Sequence, residues 1–174
     1  NGFDLVCDCT DNFPSRYLIN DASVILKKPN IYGSISRFEG QATVFNLNKE
    51  SPNYRDLIPE PPPPGLLPSC SETGVIGVLP GLIGVIQATE VIKIITGIGE
   101  TLDGRLLIFD ALKLRFKELT LKPRINREPI TQLINYEKFC ARNSKQDFKD
   151  ESIPVSHISP KELRSVLKYK QEEI

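Results

Sequence analysis

Short apolar runs alternate with an amphipathic segment in the first part of the chain. Residues 3–9 form a β-rich apolar run, and residues 13–28 then carry apolar side chains at helical spacing, with Pro14 suited to the first helical turn. Residues 30–36 and 40–47 have the composition of two further strands. Because a strand that follows a helix continues a β-α-β unit, the pattern predicts an α/β fold with a doubly wound, largely parallel sheet.

A proline-rich stretch follows these strands. Residues 51–69 contain seven prolines, which block the hydrogen bonding of both helix and sheet and favour an extended, semi-rigid strap. The alternative is a docking motif for another protein, but such a motif rarely leads directly into an apolar helix. We therefore expect a loop that crosses the molecule.

An apolar segment with several glycines comes next. The run of residues 75–86 includes Pro80 and is followed by polar positions at Gln87, Glu90 and Lys93. At 12 residues the run is too short to span a bilayer, so it predicts a buried helix. Small residues along it would let another element approach its backbone closely. They are Gly77, Gly81, Gly84 and Ala88.

The pattern changes again towards the C-terminus. Residues 104–121 read as two β-rich strands around a turn, which predicts an antiparallel hairpin added to the sheet. Residues 141–152 are polar and lack periodicity, whereas Ser159, Pro160 and Glu162 mark the start of a new helix. The predicted organisation is residues 1–140 as the C-terminal portion of the doubly wound domain, 141–152 as a linker and 153–174 as the beginning of a second α/β domain.

Composition and charge exclude several classes of protein. Of the 174 residues, 40% are hydrophobic, which is enough for a buried core. The 22 basic and 22 acidic residues cancel, so charge favours neither nucleic acid nor an anionic membrane. Four cysteines form no C-x-x-C pair, which argues against a disulfide framework and indicates a reducing compartment. No methionine is present, and we expect the chain to be a fragment.

Four segments carry a combination of motifs that is far more specific than a single glycine pattern. They are DLVCDCTDNFPSRYLINDA (4–22), YGSISRFEGQATVF (32–45), PEPPPPGLLPSCSETGVIGVLPGLIGVIQATEVIKIITG (59–97) and LLIFDALKLRFKEL (106–119). In this order they resemble the adenylyltransferases that activate ubiquitin-like sulfur carriers. That family includes the molybdopterin-synthase and thiazole-synthesis activating enzymes and is related to ubiquitin-activating enzymes. Residues 158–167 (ISPKELRSVL) are similar to the opening of a rhodanese domain.

The resemblance implies an activity, cofactors and partners. Members of the family use ATP and Mg²⁺ to adenylate the C-terminal glycine of a small β-grasp sulfur-carrier protein, for molybdopterin, thiamine or tRNA thiolation. The resemblance therefore implies such a carrier as the partner and a homodimer. Composition and charge lead us to expect no nucleic acid, no membrane, and the cytoplasm or plastid stroma as the location. The family's glycine-rich nucleotide loop belongs to an N-terminal half outside this chain. This chain alone is accordingly expected to be inactive.

The resemblance also assigns site residues near the end of the first strand. Asp11 matches the family's aspartate beside the ATP phosphates, where a carboxylate can hold Mg²⁺. Asn12 adjoins the same position. Arg16 and Asn20 lie four residues apart on one helix face, suited to phosphate or carrier-tail contacts. The alternative for these residues is ordinary helix capping and solvation.

One cysteine is a candidate nucleophile. Cys70 matches a cysteine that rhodanese-bearing family members use in a thioester or acyl-disulfide step after adenylation. A helix that follows it would lower the pKa of its thiol and raise the thiolate fraction. A half-buried structural cysteine is the alternative. Cys7 and Cys9 alternate along one strand face and are expected in the core.

The sequence departs from the family at a metal site. Many members bind a structural zinc through two C-x-x-C pairs, one before the proline-rich strap and one after the last strands. Here the first position reads Asn53-Tyr54-Arg55-Asp56, and residues 122–129 contain no cysteine. Because a tetrahedral site needs all its ligands, the joint loss predicts that the protein holds no zinc.

Two hypotheses from other classes remain open at this point. One is a nicotinamide-dependent oxidoreductase built on the doubly wound sheet, although this chain shows no His or Lys suited to hydride chemistry. The other is a non-catalytic scaffold that docks a carrier protein through the proline-rich strap. The sequence that precedes this chain would discriminate between them. A G-x-G-x-x-G followed by Arg and Lys favours the adenylyltransferase, and an acidic residue about 20 positions on without those basic residues favours the oxidoreductase. The absence of both motifs would leave the scaffold.

Overall fold

The computed structural model describes residues 2–63 and 74–141. The predictions for Cys70 and for residues 153–174 lie outside these described residues. The described elements begin with a β-α-β unit and end in a hairpin and a short helix. In chain order they are β1 (Val6–Asp8), α1 (Phe13–Leu26), β2 (Asn30–Ser36), β3 (Glu39–Phe45), α2 (Tyr54–Leu57), α3 (Leu79–Thr96), β4 (Arg105–Asp110), β5 (Arg115–Thr120) and α4 (Tyr136–Ala141).

Helix α1 begins and ends where its sequence provides caps. The Asn12 side chain accepts a hydrogen bond from the Ser15 N–H, and Pro14 lies in the first turn, where no backbone N–H is needed. At the other end Lys27 adopts a left-handed conformation (φ 53°), and its N–H returns to the carbonyls of the last turn. The cap at Asn12 fixes the end of the loop between β1 and α1.

The five strands form one mixed sheet in the order β1-β2-β3-β4-β5. The pairing of β1 with β2 is parallel, whereas β2–β3, β3–β4 and β4–β5 are antiparallel. The α/β class is confirmed, but the prediction of a largely parallel sheet is wrong for the described residues. The reason is the connection from β2 to β3. Only Arg37 and Phe38 separate the paired residues Ser36 and Glu39, and a parallel pair needs a crossover of a dozen residues or more.

The predicted C-terminal hairpin is confirmed. Strands β4 and β5 pair in antiparallel register from Arg105–Thr120 to Asp110–Arg115. The turn between them is held by Asp110, whose carboxylate accepts hydrogen bonds from the N–H groups of Leu112 and Lys113. The hairpin therefore extends the sheet on its antiparallel side, and β5 is the last strand among the described residues.

Successive residues of the central strands build two cores on opposite faces of the sheet. Ile31 belongs to an aliphatic core beneath α3, and its neighbour Tyr32 belongs to an aromatic core beneath α1, α2 and α4. The buried members of the aromatic core are Tyr17, Tyr32, Phe45, Tyr54 and Tyr136. The buried members of the aliphatic core are Ile31, Ala42, Val44 and Leu102.

Helix α3 is only partly buried, which corrects the prediction of a buried helix. Leu79, Ile83, Gln87 and Glu90 are buried on its sheet side. Its other side is apolar and exposed, as at Ile95 (68% exposed). Nothing described lies within 4 Å of a Cβ built on Gly77, Gly81 or Gly84. In the described part of the chain, α3 is also the one helix long and apolar enough to cross a membrane, a test that core helices of soluble proteins pass as well.

Candidate functional site

A cavity of about 1150 Å³ opens where β1 ends and α1 begins. Its volume is slightly above the usual range of small-molecule sites, and it lies at the carboxyl end of the parallel strand pair, where open α/β sheets bind ligands. The loop residues Thr10, Asp11 and Asn12 line one side, and the end of β2 lines another. Tyr54 and Ile58 from the α2 region close the aromatic side.

The structure places Asp11 and Asn12 at this cavity, but in different roles. Asn12 is the N-cap of α1, because its Oδ1 accepts from the Ser15 N–H at 2.9 Å. Its Nδ2 donates to Asp11 Oδ1 at 3.2 Å. Asn12 therefore caps α1, and its predicted contact with ATP stays a prediction. Asp11 remains an exposed carboxylate on the cavity wall.

Arg16 is a buried cation beside the same cavity. Its side chain is 9% exposed, and Nη1 donates to the Gly33 carbonyl at 3.1 Å and lies 3.8 Å from Asp8 Oδ2. The guanidinium carbon stands 4.8 Å from the centre of the Tyr32 ring, within cation–π range. A guanidinium has five N–H donors. Donors therefore remain available for an anionic group in the cavity.

Asp8 is a site-forming residue that the sequence reasoning missed. It is 1% exposed, and its Oδ1 accepts hydrogen bonds from the Thr10 N–H at 2.9 Å and from the Thr10 hydroxyl at 2.7 Å. These two bonds fix the turn that leads to Asp11. A charged residue inside an otherwise apolar strand was the available signal, since buried charges are paired or hydrogen-bonded.

Gln87 of α3 was also missed. Its Nε2 donates to the Asp8 carbonyl at 2.9 Å and to the Ile31 carbonyl at 3.2 Å, so one amide joins β1 to β2. Its Oε1 lies 3.6 Å from Cys9 Sγ. A Cβ on Gly33 would come within 2.5 Å of this amide, which explains the glycine there. Gln87 therefore connects α3 to the strand that carries the site.

Asn20 does not reach the cavity, which corrects the prediction of a phosphate or carrier-tail contact. It is 1% exposed, and its Oδ1 accepts the Tyr54 N–H at 2.7 Å while its Nδ2 donates to Asp21 at 3.0 Å. The Asp21 carboxylate in turn accepts hydrogen bonds from Nε and Nη2 of Arg55 and from the Tyr136 hydroxyl. Asn20 thus belongs to a network that joins α1, α2 and α4.

Aromatic side chains form the buried wall behind this network. Tyr17 packs edge-on against Tyr54 and Phe139, and the Arg55 guanidinium lies 4.9 Å from the rings of both Tyr17 and Phe139. Burial raises the pKa of Tyr136 to about 12, with its hydrogen bond to Asp21 adding to the effect. Burial also raises the pKa of Tyr17 and Tyr54. These hydroxyls are therefore neutral at physiological pH.

Cys7 and Cys9 are exposed, so the prediction that they lie in the core is wrong for the described structure. Their Sγ atoms are 3.9 Å apart, and Cys9 lines the cavity. Desolvation of the Cys7 thiol raises its pKa to about 11, and the neighbouring Cys9 adds to that effect. The sequence shows the pair as C-x-C. Because β1 ends at Asp8, Cys7 lies within the strand and Cys9 lies in the loop after it.

The two segments that correspond to the family's zinc-binding positions are in direct contact. Asn53 and Asp56 form a capping box for α2. The Asp56 side chain is fully buried, and its carboxylate accepts hydrogen bonds from the Arg124 N–H at 2.9 Å and from Arg127 Nη1 at 2.9 Å. Arg127 also donates to the Ser51 carbonyl at 3.2 Å. A carboxylate and a guanidinium therefore join these segments.

The side chains at the cavity can be compared with the ligands that a metal ion requires. Within residues 2–63 and 74–141, no group of three or more His, Cys, Asp or Glu side chains could hold a metal. Asp11 offers one accessible carboxylate, and Mg²⁺ is commonly bound by one or two carboxylates together with substrate phosphates. The described residues thus fit a magnesium ion that arrives with a nucleotide, and they do not fit a self-contained zinc centre.

Comparison with known proteins gives the family. The model of the ThiF family matches residues 1–130, so the chain belongs to the ThiF family. This confirms the resemblance read from the four motifs. The similarity of residues 158–167 to a rhodanese domain lies outside the described residues and outside this match, and it stays a prediction.

Two relatives illustrate the similarity. A Mycobacterium tuberculosis protein named "Probable adenylyltransferase/sulfurtransferase MoeZ" is 48% identical over 170 residues, which cover 95% of this chain and 42% of that protein. The "Sulfur carrier protein adenylyltransferase" of Thermus thermophilus is 49% identical over 148 residues, covering 79% of this chain and 55% of that protein. The chain therefore spans about half of the length of these relatives, or less.

Solved structures support the fold. The crystal structure of E. coli MccB with ATP has a TM-score of 0.56 at 14% sequence identity, and the match covers 70% of this chain and 37% of that one. The MccB structure with AMPCPP and MccA has the same TM-score at 13% identity. At this level of identity the likeness concerns the fold.

Proposed function

We propose that this chain is part of an enzyme that adenylates the C-terminal glycine of a ubiquitin-like sulfur-carrier protein with ATP. The observation that carries the proposal is the cavity at the end of β1, which brings Asp11 and the buried cation Arg16 together in a ThiF-family chain. The names of the two relatives supply the reaction class and the carrier as substrate. Among the three hypotheses from the sequence, family membership favours this one.

The proposed reaction brings together two anions, the carrier carboxylate and ATP. A buried arginine at the site would reduce the repulsion between them. A carboxylate oxygen of the carrier attacks the α-phosphorus of ATP, and pyrophosphate leaves. Arg16 would hold the carrier carboxylate or a phosphate oxygen with its remaining donors and offset the charge repulsion. Asp11 would hold Mg²⁺, which when bound supplies neutralisation of the phosphate charge.

The site is preorganised by residues that do not touch the substrates. Asp8 fixes the turn before Asp11 through Thr10, and Gln87 fixes the strand end through two backbone carbonyls. Both side chains are buried and hydrogen-bonded, so they hold the site in place before the substrates bind and need not move during the reaction. The proposed roles therefore separate contact residues at the cavity from positioning residues behind it.

We also propose that the protein needs no structural zinc. The support is the Asp56–Arg127 contact, which joins the segments at residues 53–56 and 122–129 without a metal. Metal analysis of the full-length protein should find less than stoichiometric zinc. One zinc per protomer, retained through dialysis against a chelator, would contradict this proposal.

The remaining proposals concern assembly and location. A homodimer is supported by the exposed apolar side of α3, where Val85, Ile92 and Ile95 lie without cover from the described residues. A second copy of the protein could bury such a face. The cytoplasm or plastid stroma, with no role for membrane or nucleic acid, remains the proposal from composition and charge.

Carrier-dependent exchange between ATP and pyrophosphate tests the proposed function. The full-length protein that contains this chain should exchange labelled pyrophosphate into ATP when a sulfur carrier is present. A carrier that lacks its terminal glycine is the matched control and should support no exchange. Equal exchange with and without an intact carrier tail would contradict the proposal.

A further inference from the structure

One buried hydroxyl in the wall of the cavity has no hydrogen-bond partner among the described residues. Tyr54 lines the cavity with only 1% of its surface exposed, and its hydroxyl oxygen is buried. The rings of Tyr17, Tyr32 and Phe45 pack around it at centroid distances of 5.1, 5.6 and 6.2 Å. These rings belong to α1, β2 and β3, so the enclosure of Tyr54 does not depend on any segment that precedes residue 1.

A hydroxyl without a partner is unusual in such surroundings. Burial removes the hydrogen bonds of a tyrosine hydroxyl to water, and buried hydroxyls usually regain one from the protein. Two neighbours in the same core do so, since Tyr17 donates to the Ile58 carbonyl and Tyr136 donates to Asp21, both at 2.9 Å. A phenylalanine at residue 54 would fill the same space without an unmet hydroxyl. The Tyr54 hydroxyl therefore indicates a partner that arrives in the cavity.

The charged groups of the site lie near this hydroxyl. Burial raises the pKa of Tyr54, Tyr32 adds to the effect, and the positive charge of Arg16 opposes it. The Arg16 guanidinium carbon lies 4.8 Å from the centre of the Tyr32 ring, which packs directly against the Tyr54 ring. The raised pKa keeps the phenol protonated at physiological pH, so it can donate a hydrogen bond. A hydroxyl donor and a guanidinium on one wall favour the same ligand, an anionic oxygen.

We propose that Tyr54 is a binding residue of the cavity, whose hydroxyl donates a hydrogen bond to an anionic oxygen of a substrate beside Arg16. This inference rests on the proposed function, which brings two sources of such an oxygen to the cavity. They are the terminal carboxylate of the carrier and the phosphates of ATP.

The backbone of Tyr54 is held in place for this role. Its N–H donates to Asn20 Oδ1 at 2.7 Å, which ties the start of α2 to α1. The buried Asp56 carboxylate, two residues further on, is bonded to Arg127. Together with the packed rings, these contacts hold the hydroxyl in position before a substrate binds.

The substitution Tyr54→Phe in the full-length protein tests the proposal, because it removes only the hydroxyl. We expect kcat/KM for carrier-dependent ATP–pyrophosphate exchange to fall at least tenfold. The melting temperature should stay the same or rise, because the variant loses a buried hydroxyl that has no partner in the protein. Tyr136→Phe is the matched control. It removes a core hydroxyl that has a partner, so it should lower the melting temperature and leave exchange by the folded protein unchanged.

Equilibrium binding of MgATP distinguishes the two sources of the anionic oxygen. If the hydroxyl contacts a phosphate, Tyr54→Phe should weaken the binding of MgATP to the full-length protein in the absence of carrier. If it contacts the carrier carboxylate, MgATP binding should stay unchanged while carrier-dependent exchange falls. Either result supports the proposed role of Tyr54.

The outcomes also separate this inference from the proposed function. Wild-type exchange by Tyr54→Phe would overturn the inference alone. A lower melting temperature with unchanged exchange would overturn it as well, and would show that the hydroxyl has a structural partner such as a bound water. If the wild-type protein shows no carrier-dependent exchange, the proposed function fails, and this inference fails with it.

Discussion

The carboxylate of Asp56 and the guanidinium of Arg127 meet at 2.9 Å, although 71 residues separate them in the sequence. The Asp56 side chain is fully buried, and the backbone N–H groups of Asn53 and Arg124 also donate to it. This contact fixes α2 against the segment that follows the C-terminal hairpin. Since α2 carries Tyr54 of the cavity wall, the contact also stabilises one side of the candidate site.

Asp56→Asn should destabilise the protein by about 2 kcal/mol, because it leaves buried donors with a weaker acceptor. Arg127→Met should lower the free energy of unfolding by less than Asp56→Asn, because the Arg127 side chain is 35% exposed. Chemical unfolding of the two single variants and the double variant measures their coupling. Strictly additive losses would show that the two side chains do not stabilise each other.

Arg16 and Asn20 lie on the same helix but should respond differently to substitution. Arg16→Gln should reduce carrier-dependent exchange at least tenfold, because it removes the buried charge beside the cavity. Asn20→Ala should lower the melting temperature through loss of its bond to the Tyr54 N–H, with exchange by the folded fraction unchanged. Exchange assays paired with thermal unfolding distinguish the two effects. A loss of exchange in Asn20→Ala without a loss of stability would show that Asn20 acts in the candidate site.

The buried tyrosines predict alkaline unfolding. In the folded state the pKa values of Tyr17, Tyr32, Tyr54 and Tyr136 are raised above 10.0, chiefly by burial. The unfolded chain therefore releases these protons at lower pH than the folded chain, and stability falls as pH rises above about 10. Tyrosinate absorbance and circular dichroism should change in one cooperative step. Ionisation of these tyrosines with the fold intact would contradict this expectation.

Cys70 remains a sequence-based candidate for the step after adenylation. Cys70→Ala should preserve carrier-dependent exchange, because formation of the acyl-adenylate needs no enzyme thiol. It should prevent any thiol-sensitive covalent adduct between the protein and its carrier, which denaturing gel electrophoresis detects. Full sulfur transfer by this variant would assign Cys70 a structural role instead.

Local sequence signals gave a large part of the fold. Strand β2 was predicted with the bounds that the structure shows, residues 30–36, because its β-rich composition lies between clear boundaries. The start of α1 followed from Asn12 and Pro14, whose capping roles depend on adjacent residues. The direction of β3 was wrong even though the short Arg37-Phe38 connection was visible. A connection of two residues permits only an antiparallel pair, and this constraint outweighs the tendency of a strand after a helix to continue a β-α-β unit.

The candidate site was predictable only where it is local in sequence. Asp11 follows the end of β1, and Arg16 lies in the first turn of α1. The family resemblance assigns both to the site through this local motif, and both line the cavity. Gln87 reaches the same region from 79 residues away through its bond to Asp8, and no pattern in the sequence specifies that contact. The assignment of Asn20 failed because helical spacing shows which residues share a face, but not which neighbouring element covers each residue.

The central claim is that Asp11 holds the metal–phosphate part of an adenylation site. The most direct measurement is ATP–pyrophosphate exchange by the full-length protein with Asp11→Ala, compared with Asp4→Ala, which removes another exposed carboxylate nearby. We expect the Asp11 variant to lose carrier-dependent exchange by at least a hundredfold, with its melting temperature unchanged, and the Asp4 variant to retain wild-type exchange. Wild-type exchange by a folded Asp11→Ala protein would contradict the account.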